Sequence, residues 1–145
     1  MPTTKGGLRN DISKGPITVS KVFELMPFEN ELVLFKLSGK DVLEVLKFIA
    51  ATGGQPVAGL KMKIVNKLPE QVTINDKAFD VNKDYMVLTS DYIASGGDNA
   101  RGFAAPISKN TLGLKVRDAL LKAVAEQEKN GKKIHTTLDG RITKD

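Results

Sequence analysis

Tyr92 and Asp98 lie in the stretch Asp91-Tyr-Ile-Ala-Ser-Gly-Gly-Asp-Asn-Ala-Arg-Gly-Phe103, which sets an aromatic ring and a carboxylate on either side of a glycine pair. Val87 and Leu88 lead into it as strand, and Gly96-Gly97 frees the backbone to turn through φ > 0. A ring and an acid held close together suit a nucleoside. The ring can stack on a base, and the ionised carboxylate can accept hydrogen bonds from ribose hydroxyls.

Phe28 and Asn30, in Leu25-Met-Pro-Phe-Glu-Asn-Glu31, offer a second ring and an amide at another change of chain direction. The chain has six phenylalanines and two tyrosines. Phe23, Phe35, Phe48 and Phe79 fall inside periodic apolar segments and read as core. Phe28 and Tyr92 fall among polar neighbours, so two readings stay open: a base clamp, with ~1–3 kcal/mol from each ring, or two loop anchors covering an edge of the core. Asn30 can donate to and accept from a base edge, or serve as a turn residue. Asp98 is equally a turn or cap acid by its plain chemistry. Gly59, in Val-Ala-Gly-Leu, allows close backbone approach to a ligand, or simply starts a strand.

Other chemistries lack their residues. There is no cysteine, so no disulfide framework, thiolate nucleophile or cysteine zinc site. The single histidine, His135, has no second histidine or cysteine to complete a transition-metal cage. No Ser/His/Asp set, phosphate-binding glycine loop or dinucleotide fingerprint appears. No catalytic residue and no metal ligand is therefore assigned.

These residues must be positioned by a chain of 145 residues, 41% of them apolar, enough for one domain with a substantial core over residues 1–145. No apolar run approaches the ~20 residues that span a bilayer, and the N-terminus has no signal-peptide pattern. A net charge of +5 favours anionic partners. The lysines are scattered, however, and the tight cluster at Lys129–Lys133 falls at a helix end where cations complement the dipole, which argues against nucleic acid.

Thr18 caps a short helix bearing Val19, Val22, Phe23 and Met26 and stopped by Pro27. A buried strand follows over Glu31–Leu37. Ser38 with Asp41 opens a second helix whose stripe is Val42, Leu43, Val45, Leu46 and Ile49, ended by Thr52-Gly-Gly-Gln-Pro56. Leu60, Met62 and Ile64 alternate with lysines as a half-exposed strand. Val72–Ile74, Asn75-Asp76 and Ala78-Phe79 form a hairpin, and Tyr85–Thr89 a longer strand. A third helix is expected over about Leu114–Lys129 with Gly131 as its stop, and the tail from His135 to Ile142 can add a last strand. The class is α+β.

Three segments in this order and spacing, Gly6-Gly-Leu-Arg-Asn-Asp-Ile12, Leu25–Glu31 and Asp91–Phe103, resemble the C-terminal domain of the 5′-nucleotidase family, which includes the bacterial UDP-sugar hydrolases. The similarity runs from Gly6 to the Ile134–Ile142 tail. It implies a layered α/β/β/α fold, with two sheets face to face and helices outside. It implies that Phe28 and Tyr92 sandwich the base, Asn30 meets its edge, Asp98 binds the ribose, Gly59 lets the ligand approach, and Arg9 binds the phosphate side through its planar fork of donors. Tyr92 departs from the phenylalanine of several family members by one hydroxyl. Relatives hydrolyse phosphate esters with two divalent metal ions and a His/Asp pair of an N-terminal metallophosphatase domain absent here; further substrate-holding arginines would lie before Met1. The resemblance thus implies a substrate-recognition domain without its own cofactor, partnered in cis or in trans by a metal-bearing domain, periplasmic or extracellular. The runner-up is a stand-alone nucleotide- or nucleoside-binding module, and a weaker third is a basic protein-interaction domain.

Overall fold

The computed structural model describes residues 8–145. Its first helix, α1 (Val19–Leu25), begins where the Thr18 hydroxyl accepts the Lys21 backbone N–H, and ends at Met26 before Pro27. Strand β1 (Glu31–Ser38) runs directly into helix α2 (Gly39–Ala51). Ser38 makes that junction: its hydroxyl accepts the Asp41 N–H at 3.2 Å and donates to the Asp41 carboxylate at 2.6 Å. Past α2 the backbone N–H groups of Gly53 and Gly54 bond back to Ala50 and Ile49, closing the helix end that the glycine pair announces.

Strands β2 (Leu60–Val65), β3 (Leu68–Ile74) and β4 (Lys77–Ala78) form two successive hairpins. Asn66-Lys67 and Asn75-Asp76 turn them, all four residues at positive φ, the backbone that two-residue hairpin turns require. Strand β5 (Asp84–Ser90) leads into one helical turn, α3 (Asp91–Ala94). Strand β6 (Ser108–Lys115), helix α4 (Val116–Lys129) and strand β7 (Ile142–Lys144) complete the order.

The strands form two sheets, β5-β1-β6 and β4-β3-β2-β7. β1 is antiparallel to both neighbours, with Leu32 opposite Ser90 and Glu31 opposite Lys115. β7 joins β2 in parallel, Met62 opposite Ile142. Helix α2 touches β1, β5 and β3, so it belongs to both sheets at once. Period-two alternation turns Val33, Phe35 and Leu37 onto it, each at most 1% exposed, and Val42, Leu46, Ile49, Met62 and Ile64 complete the same cluster. Among the described residues, four α-helices and two separate sheets make the α+β class the sequence predicts.

Three expectations change. Leu114 and Lys115 end β6 rather than beginning the last helix, which starts at Val116. The tail supplies strand only over Ile142–Lys144; residues 132–140 have no regular structure, and His135 is exposed. Phe23 is not core: it is 44% exposed, and its ring carries the Arg117 guanidinium 4.0 Å from its centroid.

Truncating Phe35, which is 1% exposed and packs on Phe103 with centroids 5.4 Å apart, leaves a cavity at the centre of the core. Phe35→Ala is expected to lower unfolding free energy by about 3–5 kcal/mol in urea titration, whereas Leu138→Ala, at a fully exposed position, leaves it unchanged.

Candidate functional site

Ser90, the last residue of β5, starts the site by capping α3, its hydroxyl accepting the Ile93 N–H at 3.3 Å. The single helical turn puts Tyr92 on its outer side, 51% exposed. Gly96, at φ 86°, reverses the chain into a 3₁₀ turn over Gly97–Asn99, where Asp98 itself takes a left-handed backbone at φ 54° and ψ 21°. Aspartate tolerates that region better than most side chains. Ala100 and Phe103 then return to the core at 8% and 6% exposure, anchoring the far end of the turn.

Inside the turn Tyr92 and Asp98 meet directly. The phenol O–H donates to Asp98 Oδ1 at 3.0 Å. Gly97 is there because the ring leaves no room: a Cβ at this position would stand 2.5 Å from the ring and 2.6 Å from the Tyr92 carbonyl oxygen. With Oδ1 taken by the phenol, Asp98 keeps Oδ2 as an acceptor for a ligand hydroxyl.

The Phe28 segment reaches the same sheet end. Asn30 Nδ2 donates to Asp91 Oδ1 at 2.8 Å, bridging 61 residues of sequence. Because Leu32 pairs with Ser90, Phe28 before β1 and Tyr92 after β5 project from one end of one strand pair. Phe28 is half-buried. The two rings do not stack on each other; among the described residues the ring pairs are Phe35–Phe103 and Phe79–Tyr85. Arg9 is exposed, held by its backbone N–H on the Leu25 carbonyl at 2.8 Å, and its guanidinium stands 5.0 Å from the Phe28 ring centroid. Gly6 and Gly7 of its motif lie outside the described residues.

Five of the six residues singled out by sequence thus gather at one sheet end: Arg9, Phe28, Asn30, Tyr92 and Asp98. Gly59 lies elsewhere, beside β2, at φ 69°, with its carbonyl accepting the Asn75 N–H at 2.8 Å. It lines a mostly apolar groove of about 480 Å³ whose other walls include Val45, Thr89, Ile93 and Phe103, and so reaches the foot of the Tyr92 turn. Among the described residues no group of three or more His, Cys, Asp or Glu side chains is placed to hold a metal ion, and no helix is long and apolar enough to cross a membrane.

Two acids that sequence reading passed over organise the site. The Asn30 amide, opposed by partial burial and helped by the backbone N–H groups of Glu31 and Tyr92, holds the Asp91 carboxyl below the usual carboxylate range. Glu29, beside Phe28, is gripped by Lys115 and Arg117 at the start of α4, and their hydrogen bonds lower its pKa from 4.5 to about 2. Its charge also suits the positive end of the α4 dipole. The available signal for Asp91 was its place one residue after a serine that ends a strand. Glu29 carries none, since its partners lie more than eighty residues away.

A carboxyl whose folded pKa lies below its unfolded value stabilises the fold fully above the unfolded value and loses that contribution as pH falls through the folded one. For Glu29 the window runs from 4.5 down to about 2. In denaturant titrations, the stability gap between the native chain and Glu29→Gln is expected to be widest above this window and to close towards its lower end.

Comparison with known proteins converges on one family. The family described as "5'-nucleotidase, C-terminal domain" matches residues 3–105. A 5'-nucleotidase of Vibrio parahaemolyticus is 34% identical over 101 residues, which cover 64% of this chain and 18% of that protein. The trifunctional nucleotide phosphoesterase protein YfkN of Bacillus subtilis is 29% identical over 156 aligned positions, covering 97% of this chain and 10% of its own. Among solved structures, a 5'-nucleotidase precursor from Thermus thermophilus superposes with a TM-score of 0.82 at 28% identity, over 95% of this chain and 30% of that one. The Haemophilus influenzae NAD nucleotidase shares the fold, with a TM-score of 0.71 at 22% identity, over 96% of this chain and 28% of that one. The chain therefore spans under a third of each of these relatives, and it belongs to the 5′-nucleotidase C-terminal domain family.

Proposed function

We propose that residues 1–145 act as one substrate-binding domain, the nucleotide-recognition part of a 5′-nucleotidase-type phosphoester hydrolase. In this reading Phe28 and Tyr92 take the two faces of the base, Asn30 reads its edge, and Asp98 accepts from the ribose hydroxyls. Arg9 binds on the phosphate side, and Gly59 allows close approach at the far end of the groove. The observation that carries the proposal is the Asn30–Asp91 hydrogen bond. It ties the Phe28 segment to the Tyr92 turn, so the rings share one sheet end without stacking on each other.

Among the described residues no cluster is placed to hold a metal ion. Hydrolysis in this reading belongs to a metallophosphatase domain, in the same chain or as a separate partner, whose two divalent metal ions would supply Lewis-acid chemistry when bound. The contribution of this domain is proximity and orientation: it fixes the nucleoside so that the ester lies where the other domain works. Arg9 is suited to that task, since its guanidinium stands 5.0 Å from the Phe28 ring centroid and offers a fork of donors to phosphate oxygens. A periplasmic or extracellular setting accompanies this reading.

Calorimetric titration of adenosine and AMP into the chain is expected to show weak saturable binding. Phe28→Ala and Tyr92→Ala should each cost roughly 5- to 150-fold in affinity, the equivalent of ~1–3 kcal/mol of stacking per ring. Unchanged binding in the double variant would reject the clamp. With divalent metal added, the isolated chain should release no phosphate from AMP; efficient release would overturn the division of labour.

Asp98→Asn replaces a charged acceptor with a neutral amide. It is expected to lower affinity for adenosine while leaving 2′,3′-dideoxyadenosine, which lacks the ribose hydroxyls, nearly unaffected. Equal losses for both ligands would remove Asp98 from the ribose site.

A further inference from the structure

The first turn of α4 lies beyond the residues matched by the family, yet it runs alongside the Phe28 segment and bonds to Phe28, Glu29 and Asn30 in turn. The Val116 N–H donates to the Asn30 carbonyl at 2.9 Å. Lys115 and Arg117 both pair with the Glu29 carboxylate. Arg117 Nη1 donates to the Phe28 carbonyl at 3.4 Å, long for a hydrogen bond. Residues 115–117 thus carry the β1–β6 pairing, in which Lys115 opposes Glu31, past the end of the sheet.

Arg117 is the unusual member of this set. It is 6% exposed, packed over the Phe23 ring at 4.0 Å, and it is the sole buried charged side chain among the described residues. Its position is costly twice over. Its Nε is buried without a hydrogen-bond partner, and the first turn of a helix is the wrong end for positive charge. Helix stability alone would place an acid or an alanine here. What arginine alone supplies is a planar fork whose two ends reach two consecutive residues, a carbonyl and a carboxylate, while its face rests on an aromatic ring. A lysine has one point of attachment and an apolar residue none.

The geometry points to Arg117 as a positioning residue for the nucleoside site: from α4 it fixes the backbone of Phe28-Glu29 and so sets where the Phe28 ring stands against Tyr92. It touches no ligand and acts through Phe28. This inference rests on the proposed clamp for its ligand readout and on the structure alone for its placement of Phe28.

The test is a double-mutant cycle in the full chain. Arg117→Met is expected to weaken adenosine binding roughly tenfold, with Arg117→Lys between it and the native chain. In a Phe28→Leu background the same Arg117→Met change should have no further effect, because the ring it positions is gone. A purely structural role would lower affinity equally in both backgrounds, and that result overturns the proposal. Aromatic ¹³C NMR provides the arm that does not depend on a ligand. The Phe28 ring signals should shift or broaden in Arg117→Met while those of Phe35 stay in place. If the native chain binds no nucleoside, the clamp fails, yet a selective Phe28 shift still supports the positioning role; unmoved Phe28 signals in a folded variant reject it. Should Arg117→Met not fold, Glu29→Gln removes the charged partner of the fork from the exposed side, and it carries the same expectation for Phe28 with the same overturning result.

Discussion

β1 is hydrogen-bonded along both edges, and the candidate site depends on that constraint. A central strand cannot slip against one neighbour without breaking register with the other, and a slip of one residue would turn Val33, Phe35 and Leu37 out of the core. Its N-terminal end is therefore fixed in space by elements remote in sequence. β5 delivers Asp91 and Tyr92 there, and β6 delivers Lys115 and Arg117. The Phe28–Asn30 segment lies between them with a partner on each side, Asp91 for the Asn30 amide and residues 115–117 for the backbone and for Glu29. A segment without regular structure of its own acquires a defined geometry because it is tied on both sides to the ends of paired strands.

The charges around this end divide by task. Asp91 is occupied by Asn30 and backbone N–H groups, and Glu29 by Lys115 and Arg117; both are held below the usual carboxylate range by partners within the fold. These acids are structural, already supplied with donors, and poorly placed to recognise anything else. Asp98 differs. Its side-chain partner in the structure is a neutral phenol, and its backbone sits in a conformation stabilised by the surrounding turn. A ligand hydroxyl meeting Asp98 has no salt bridge to displace. The same distinction separates Arg9, exposed on the Phe28 ring, from Arg117, buried with a carboxylate.

Local physics made much of the fold legible. Thr18 and Ser38 announced their helices because a hydroxyl just before an apolar-periodic run satisfies an orphan backbone N–H, and Asn75-Asp76 announced a hairpin because both residues accept positive φ. β6 was invisible for an equally local reason. Its sequence, Ser-Lys-Asn-Thr-Leu-Gly-Leu-Lys, lacks sustained apolar alternation, and most of its residues are exposed; pairing with β1 makes it a strand, and pairing over seventy residues leaves no mark on a short window. The site shows the same division. The residue types at Phe28, Tyr92 and Asp98 marked segments that the sheet brings to one end, but Asn30–Asp91 and Arg117–Glu29 are long-range partnerships with no trace in a short window. Phe23 misled because a seven-residue helix has one buried position, Val22, and its remaining apolar surface was taken up by a cation rather than by the core.

The Tyr92 hydroxyl has a consequence that the ring alone would not. In the proposed nucleoside site a phenylalanine at this position could stack equally well, but Asp98 would lack its phenol partner and would lose more rotamer freedom on engaging a ligand. The phenol fixes Oδ1 beforehand, so part of the ordering cost, ~0.5–1.5 kcal/mol for an immobilised side chain, falls on folding and not on binding. The same bond holds the ring, since Gly97 leaves it packed closely on the turn backbone. Ring and carboxylate are therefore linked by one hydrogen bond, and in the proposed site a ligand that tilts the ring also strains that bond. In the proposed nucleoside site such coupling would narrow the range of molecules that satisfy both contacts together, favouring a base and a sugar at one fixed separation over either fragment alone. Selectivity of that kind comes from rigidity shared between two modest contacts and requires no single strong one.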